Sequence, residues 1–264
     1  MKNKVKFKTK KRFGQHLLIS SGIIKNITSF IEITPDDIIV EIGVGTGQLT
    51  ESILKKNPKI LYGIEIDKEA YPLIEKRFEE YNNFILIKKD FFQIDLKELS
   101  GEKKLKIVGN LPYNVASLIL AKMPFYINIL EHAVFMVQKE VAEKLIAKPK
   151  TKKYAFMTVF LQTYFEIDYL MSVPARFFKP PPKVTSAVIK MKPKKQIPTF
   201  DVKKYKNFVS NLFASRRKML KSKIDKKILT DAGINPKIRV EGLEISDFIK
   251  LYRFYSTKKF SLQT

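Results

Sequence analysis

The sequence contains no cysteine and no tryptophan, and only two histidines, His16 and His132. Without cysteine there can be no disulfide, no thiolate metal site and no cysteine nucleophile. Two histidines are too few for a histidine-rich metal centre, and no metal is expected. No apolar run approaches the roughly 20 residues that span a bilayer. The N-terminal stretch is basic but lacks the apolar core of a secretory signal. The expectation is a cytoplasmic protein that makes no use of a membrane. Glycine and proline, 10 and 13 of 264 residues, are not enriched, and the 45% hydrophobic content supports a packed core. Acid is scarce beside base: 26 Asp plus Glu stand against 50 Lys plus Arg, a net charge of +24. Such an excess points to a polyanionic partner. No long basic amphipathic helix is evident, which favours nucleic acid over a lipid surface.

Seven of the first twelve residues are basic and none is acidic, as in an arm that touches phosphates. An amphipathic helix is expected from Ser21 to Ile31. Strands then alternate with helices. Strands are expected at 37–42, 59–64, 84–88, 105–108 and 133–137, and helices at about 48–56, 68–81, 117–123 and 139–147. This order implies βαβ units and a parallel sheet. Two further strands, 167–173 and 184–191, follow each other without a helix and read as an antiparallel hairpin at a sheet edge. Beyond Lys192 only helices are expected, at 203–223, 226–232 and 246–255. The expected fold class is α/β, a Rossmann-like, mostly parallel seven-stranded sheet with a small all-α C-terminal domain. The boundary falls in Lys192-Pro193-Lys194-Lys195-Gln196, which gives domains 1–195 and 196–264.

Glu41-Ile42-Gly43-Val44-Gly45-Thr46-Gly47 sits between the first strand and its helix. Glycines there permit a tight turn and a close approach of backbone to ligand. The spacing is G-x-G-x-G, neither the G-x-G-x-x-G of dinucleotide enzymes nor a P-loop. Glu65 ends the second strand about 20 residues on, where an acid accepts hydrogen bonds from ribose hydroxyls. Asp90 ends the third strand and can accept from an adenine amine. Three such features on consecutive strand ends point to an adenosine-containing ligand. Nothing recruits Mg²⁺ to a triphosphate, which argues against ATP.

Asn110-Leu111-Pro112-Tyr113 follows the next strand, at the sheet edge where ligands bind in open α/β folds. An amide oxygen and a backbone carbonyl can accept both hydrogens of an exocyclic amine. A rigid proline fixes the loop, and a tyrosine face can stack on a base.

These residues together resemble the KsgA-type rRNA adenine N6-dimethyltransferases, a branch of the class I S-adenosylmethionine-dependent methyltransferases. The resemblance runs over nearly the whole chain. Lys11-Arg12-Phe13-Gly14-Gln15-His16 is similar to the family's N-terminal signature, with Leu17-Leu18 where Phe-Leu is usual. Glu41 to Thr50 is similar to its glycine loop, with Val44 where proline is usual. Asn110 to Asn114 matches its catalytic motif. Phe178-Lys179-Pro180-Pro181-Pro182-Lys183-Val184 with Ser186 resembles its substrate-side loop. Phe213 to Lys218 and Arg239 to Leu243 resemble signatures of its helical domain.

The resemblance implies S-adenosylmethionine as cofactor, held by His16, Leu18, Gly43, Gly45, Glu65, Asp90 and Asn110. It implies a catalytic set of Asn110, Leu111, Pro112, Tyr113 and Phe178, with Tyr113 and an exposed Phe178 as the stacking faces. Lys179, Lys183, Arg216, Arg217 and Lys218 become phosphate contacts, joined by Lys148, Lys150, Lys152 and Lys153. The implied substrate is a pair of adjacent adenosines in the 3′-terminal hairpin loop of small-subunit rRNA, within a partly assembled particle. A monomer is expected. The alternatives are a large-subunit rRNA methyltransferase of the antibiotic-resistance type and a non-catalytic RNA-binding assembly factor on the same fold. Leu111, where the resistance enzymes more often carry Ile, favours the small-subunit reading, and the intact Glu65, Asp90 and Asn110 weigh against the factor. A nicotinamide dehydrogenase is disfavoured by the loop spacing.

Overall fold

The computed structural model describes residues 16–260. The basic stretch 1–12 and the start of the N-terminal signature lie outside them. Contacts divide the chain into two compact units, one running to Ala142 and including Ile167–Pro193, the other made of Glu143–Glu166 and the chain from Lys194. The second break lies within the Lys192–Gln196 segment. Residues 143–166, assigned from sequence to the first domain, cluster with the helical residues.

The first unit opens with a two-residue strand, β1 (Leu17–Leu18), and helix α1 (Ser21–Phe30). Alternation follows: β2 (Ile38–Ile42), α2 (Gln48–Leu54), β3 (Ile60–Ile64), α3 (Tyr71–Phe78), β4 (Phe84–Ile87), the short α4 (Lys97–Ser100), β5 (Leu105–Asn110) and α5 (Ala116–Lys122). Then come β6 (Leu130–Gln138), α6 (Lys139–Leu145), α7 (Phe156–Tyr164), which belongs to the second unit, β7 (Phe165–Val173), β8 (Phe178–Lys179) and β9 (Ser186–Pro193). The seven-stranded sheet has the order β4-β3-β2-β5-β6-β9-β7. Its first five strands pair in parallel, and β9 runs antiparallel to β6. The central strands are apolar and buried along almost their whole length, as strands covered on both faces must be. The chain reverses its spatial order at β2, so β2 and β5 leave a crevice between their carboxyl ends, the place where such sheets bind ligands.

Helix α1 is capped at its start by Ser20, whose hydroxyl accepts from the Ile23 N–H at 3.5 Å. Its last carbonyls would be orphaned without partners. Three side chains from the sheet supply them. Lys190 Nζ donates to Phe30 O at 3.1 Å, His132 Nε2–H to Ile31 O at 3.0 Å, and Lys106 Nζ to Glu32 O at 2.7 Å. Lys106 is itself buried and paired with Asp37 at 2.7 Å. Burial, aided by the neighbouring lysines, lowers the His132 pKa. These ties fix α1, and with it the lead-in that carries His16 and Leu17.

In the second unit, α8 (Val202–Phe213), α9 (Lys226–Asp231) and α10 (Ile245–Phe260) join α7. Its core is aromatic, with Tyr205 against Tyr252 at 5.1 Å and Phe213 stacked on Phe248 at 5.9 Å. Helix α8 stops at Phe213, well short of the expected residue 223. Lys223 Nζ donates to the carbonyls of Asn211 and Leu212 at 2.6 and 2.9 Å and closes the helix end. Arg216, Arg217 and Lys218 consequently lie in a turn.

Candidate active site

The carboxyl ends of β2, β3 and β5 open onto a cavity of about 180 Å³. Of the residues singled out from sequence, His16, Gly43, Gly45, Glu65, Asp90, Asn110, Leu111, Pro112 and Tyr113 all line it. They come from five separate stretches of chain, and parallel strand pairing is what brings them to one edge.

Gly43 and Gly45 both have positive φ, +81° and +59°, a conformation that side chains disfavour. A Cβ built on Gly43 would stand 4.0 Å from the carbonyl oxygen of Asn110, so the glycine turn and the Asn-Leu-Pro-Tyr loop face each other closely. Glu65 is almost wholly buried. Its Oε1 accepts the N–H groups of Ile66 and Asp67 at 2.9 and 2.8 Å, and its Oε2 accepts the Gly45 N–H at 2.8 Å. Burial raises its pKa against the pull of these three donors, and the charge of Asp67 adds to the rise. The carboxylate thus ties the glycine turn to the end of β3, and it retains acceptor capacity for a ligand hydroxyl. Asp90 Oδ1 accepts the Phe92 N–H at 2.9 Å and caps the single turn at Phe91–Gln93.

Asn110 ends β5. Its Nδ2 donates to the backbone carbonyl of His16 at 2.9 Å, which leaves Oδ1 to act as an acceptor. The Leu111 N–H donates to Met136 O at 3.0 Å and continues the pairing with β6 into the loop. The Tyr113 hydroxyl shares a 2.7 Å hydrogen bond with the buried Ser186 hydroxyl. The Tyr113 ring lies 5.6 Å from that of His16, tilted by 30°. His16 Nδ1–H donates to Pro180 O at 2.9 Å.

One expectation needs correcting, and two others meet a setting not foreseen. Phe178, expected to be exposed, is 3% exposed and belongs to the core cluster around α1. It pairs with Leu18 in a small antiparallel sheet, where alternation turns Phe178 inward and leaves Lys179 outside. Leu18, expected beside the cofactor, is buried in the same cluster, and Leu17 lines the cavity in its place. Arg216, expected on phosphate, donates through Nε and Nη2 to Glu241 Oε2 at 3.0 and 2.7 Å. Its Nη1 donates to Lys152 O at 3.4 Å, so it holds the helical unit together. Arg217, Lys218, Lys179, Lys183, Lys148, Lys150, Lys152 and Lys153 are exposed.

Sequence reasoning missed Lys89, Ile66, Phe91, Phe92 and Ile119, all of which line the cavity. Ile66 and Phe92 are notably exposed for their type, at 44% and 37%. Each lies within two residues of a strand-end acid, Glu65 or Asp90, and that adjacency was the available signal. Among the described residues, no group of three or more His, Cys, Asp or Glu is gathered as for a metal. No described helix is long and apolar enough to cross a membrane.

A sheet of this order with a glycine turn, a ribose-type acid and an amide loop at one edge is that of a class I methyltransferase. The sequence pattern of the ribosomal RNA adenine dimethylases matches residues 6–257, and the chain belongs to that family. The ribosomal RNA small subunit methyltransferase A of Persephonella marina is 65% identical over 248 residues, 93% of each chain. That of a Sulfurihydrogenibium species is 61% identical over 248 residues, 94% of this chain and 96% of its own. A dimethyladenosine transferase from Plasmodium falciparum superposes with a TM-score of 0.80 at 26% identity, covering 92% of this chain and 98% of that one. The 23S rRNA methyltransferase ErmE shares the fold, with a TM-score of 0.69 at 22% identity, covering 91% and 99%.

Proposed function

We propose that this chain transfers methyl groups from S-adenosylmethionine to N6 of two adjacent adenosines in the 3′-terminal hairpin loop of small-subunit rRNA. The product is N6,N6-dimethyladenosine. Family membership and the small-subunit enzymes at 65% and 61% identity support the reaction class and the substrate. The observation that carries the chemistry is the approach of the Asn110 loop to the glycine turn.

The residues present suit the cofactor. Gly43 offers bare backbone, Glu65 is a pre-oriented acceptor for ribose hydroxyls, and Asp90 stands at the next strand end for the adenine amine. When bound, S-adenosylmethionine supplies a methyl group already activated on a sulfonium. The weak partner is adenine N6, whose lone pair is shared with the ring. Asn110 Oδ1 and the Leu111 carbonyl accept its two hydrogens and turn the lone pair out of the ring plane. Pro112 keeps the loop rigid, so little orientation is left to chance at the moment of attack. With the cofactor held by Gly43, Glu65 and Asp90, Asn110 Oδ1 and the Leu111 carbonyl would aim the N6 lone pair at that methyl group, and the nitrogen would give up a proton to water once methylated. No general base is needed before attack. One hydrogen remains after the first transfer, and a second cycle removes it.

The target adenine must leave its stack to reach the cavity. With Phe178 buried, Tyr113 is the stacking face that remains from the expected pair. Charge is unevenly divided. Residues 16–142 with 167–193 carry 20 basic and 18 acidic side chains, whereas 143–166 with 194–264 carry 23 and 8. The helical unit therefore anchors the phosphates, with Arg217, Lys218 and the 148–153 lysines as contacts. The natural substrate is a partly assembled small subunit in the cytoplasm, and the enzyme acts as a monomer.

The test is to incubate the protein with methyl-labelled cofactor and with unmethylated small or large subunits, then map the label. We expect dimethylated adenosines in the small-subunit hairpin. Label confined to large-subunit rRNA would favour the resistance-type reading, and no label would refute both.

A further inference from the structure

Ser186 is the first residue of β9, where it pairs with Gln138 of β6. It is fully buried. Its hydroxyl lies 2.7 Å from that of Tyr113, 73 positions away in sequence. Burial raises the Tyr113 pKa, so the phenol stays neutral in this bond. The same ring is flanked by the His16 imidazole at 5.6 Å. His16 is in turn held at both ends, by Pro180 O at its ring and by Asn110 Nδ2 at its carbonyl.

A tyrosine on a loop ordinarily samples several rotamers. Here the ring is held at its tip by Ser186 and along its side by His16. We propose that Ser186 is a positioning residue for methyl transfer, whose hydroxyl sets the Tyr113 ring as the wall against which the target adenine is held. This rests on the functional reading above. A buried hydroxyl left without a partner is costly, so the strand presents Ser186 to the Tyr113 hydroxyl and the ring has one favoured setting. The consequence falls on rate rather than on affinity. Phosphate contacts in the helical unit hold the RNA whether or not the base is aligned, and alignment governs how often a bound base is in position to react.

The experiment compares the full chain with Ser186→Ala, Tyr113→Phe and the double variant on unmethylated small subunits. We expect Ser186→Ala to lower kcat roughly tenfold, the scale of one hydrogen bond used for alignment. KM for S-adenosylmethionine and for the particle should stay within about twofold. Tyr113→Phe removes the same bond from its other end, so the double variant should be no slower than the slower single one. An unaltered kcat in Ser186→Ala, or a double variant slowed by the product of the two factors, overturns the proposal. So does a drop in melting temperature with kcat unaltered, which is a structural role only. Ser186→Cys, of similar size and a weak donor, carries the same comparison if the alanine variant does not fold. Failure of the unaltered chain to methylate the particle would instead overturn the functional reading, and this brace with it.

Discussion

Two buried glutamates stand within the same β2–β3 layer and do different things. Glu65 faces the cavity, and its oxygens are aimed by three backbone N–H groups. We expect Glu65→Ala to weaken S-adenosylmethionine binding about tenfold or more, since ribose acceptors and the anchor of the Gly45 turn are lost together. Isothermal calorimetry checks this, and unaltered affinity removes Glu65 from the ribose site. Glu41 lies outside the cavity lining, is almost wholly buried, and accepts from the Thr50 hydroxyl at 2.6 Å. Burial pushes its carboxyl from 4.5 up to about 8, with the charge of Glu65 adding to the rise. A folded-state pKa above the unfolded value stabilises the fold fully below the unfolded pKa and loses that effect as pH rises through the folded one. The unaltered protein should therefore lose stability relative to Glu41→Gln as pH rises from about 4.5 to about 8. Melting curves of the two across that range test it, and a constant gap contradicts it.

At the scale of elements, close packing of β2 against β5 is what joins the glycine turn to the amide loop. A Cβ on Gly109 would stand 2.6 Å from the Ile42 carbonyl oxygen, a backbone atom that cannot swing aside. Gly109→Ala should cost about 1–3 kcal/mol by overpacking and weaken cofactor binding by spreading the crevice. A melting temperature and cofactor affinity equal to those of the unaltered chain would contradict this. The βαβ order and the strand-end acids were legible in the sequence because they depend on local pattern and on fixed offsets from the strands. Helix α7 was not, since Phe156-Met157-Thr158-Val159-Phe160 is aromatic and β-branched, and its burial overrides weak helix propensity. The end of α8 was missed because no Gly or Pro marks it; the cap is a side chain from Lys223. Phe178 was misplaced because its exposure depends on a two-residue strand pairing with Leu18, far away in sequence. The Tyr113–Ser186 bond was hidden for the same reason.

Across the whole molecule, the proposed function assigns the work of holding RNA and the work of reacting with it to different residues. Replacing Lys148, Lys150, Arg217 and Lys218 with Ala should lower RNA affinity without changing cofactor affinity. Each lost phosphate contact should reduce the slope of log affinity against log salt by about 0.7–0.9. Filter binding over a salt series measures the slope, and an unaltered one would move the contacts elsewhere. Arg216 is left out of that set because its partner is Glu241. The converse experiment bears most directly on the account. Asn110→Ala should bind small-subunit particles with an affinity within a few-fold of the unaltered chain, yet transfer methyl groups at least a hundredfold more slowly in a single turnover at saturating S-adenosylmethionine, roughly the effect of removing one preorganised group aimed at the reacting atoms. Methyl transfer at the unaltered rate, or a loss of particle binding equal to the loss of rate, would contradict the role given to Asn110.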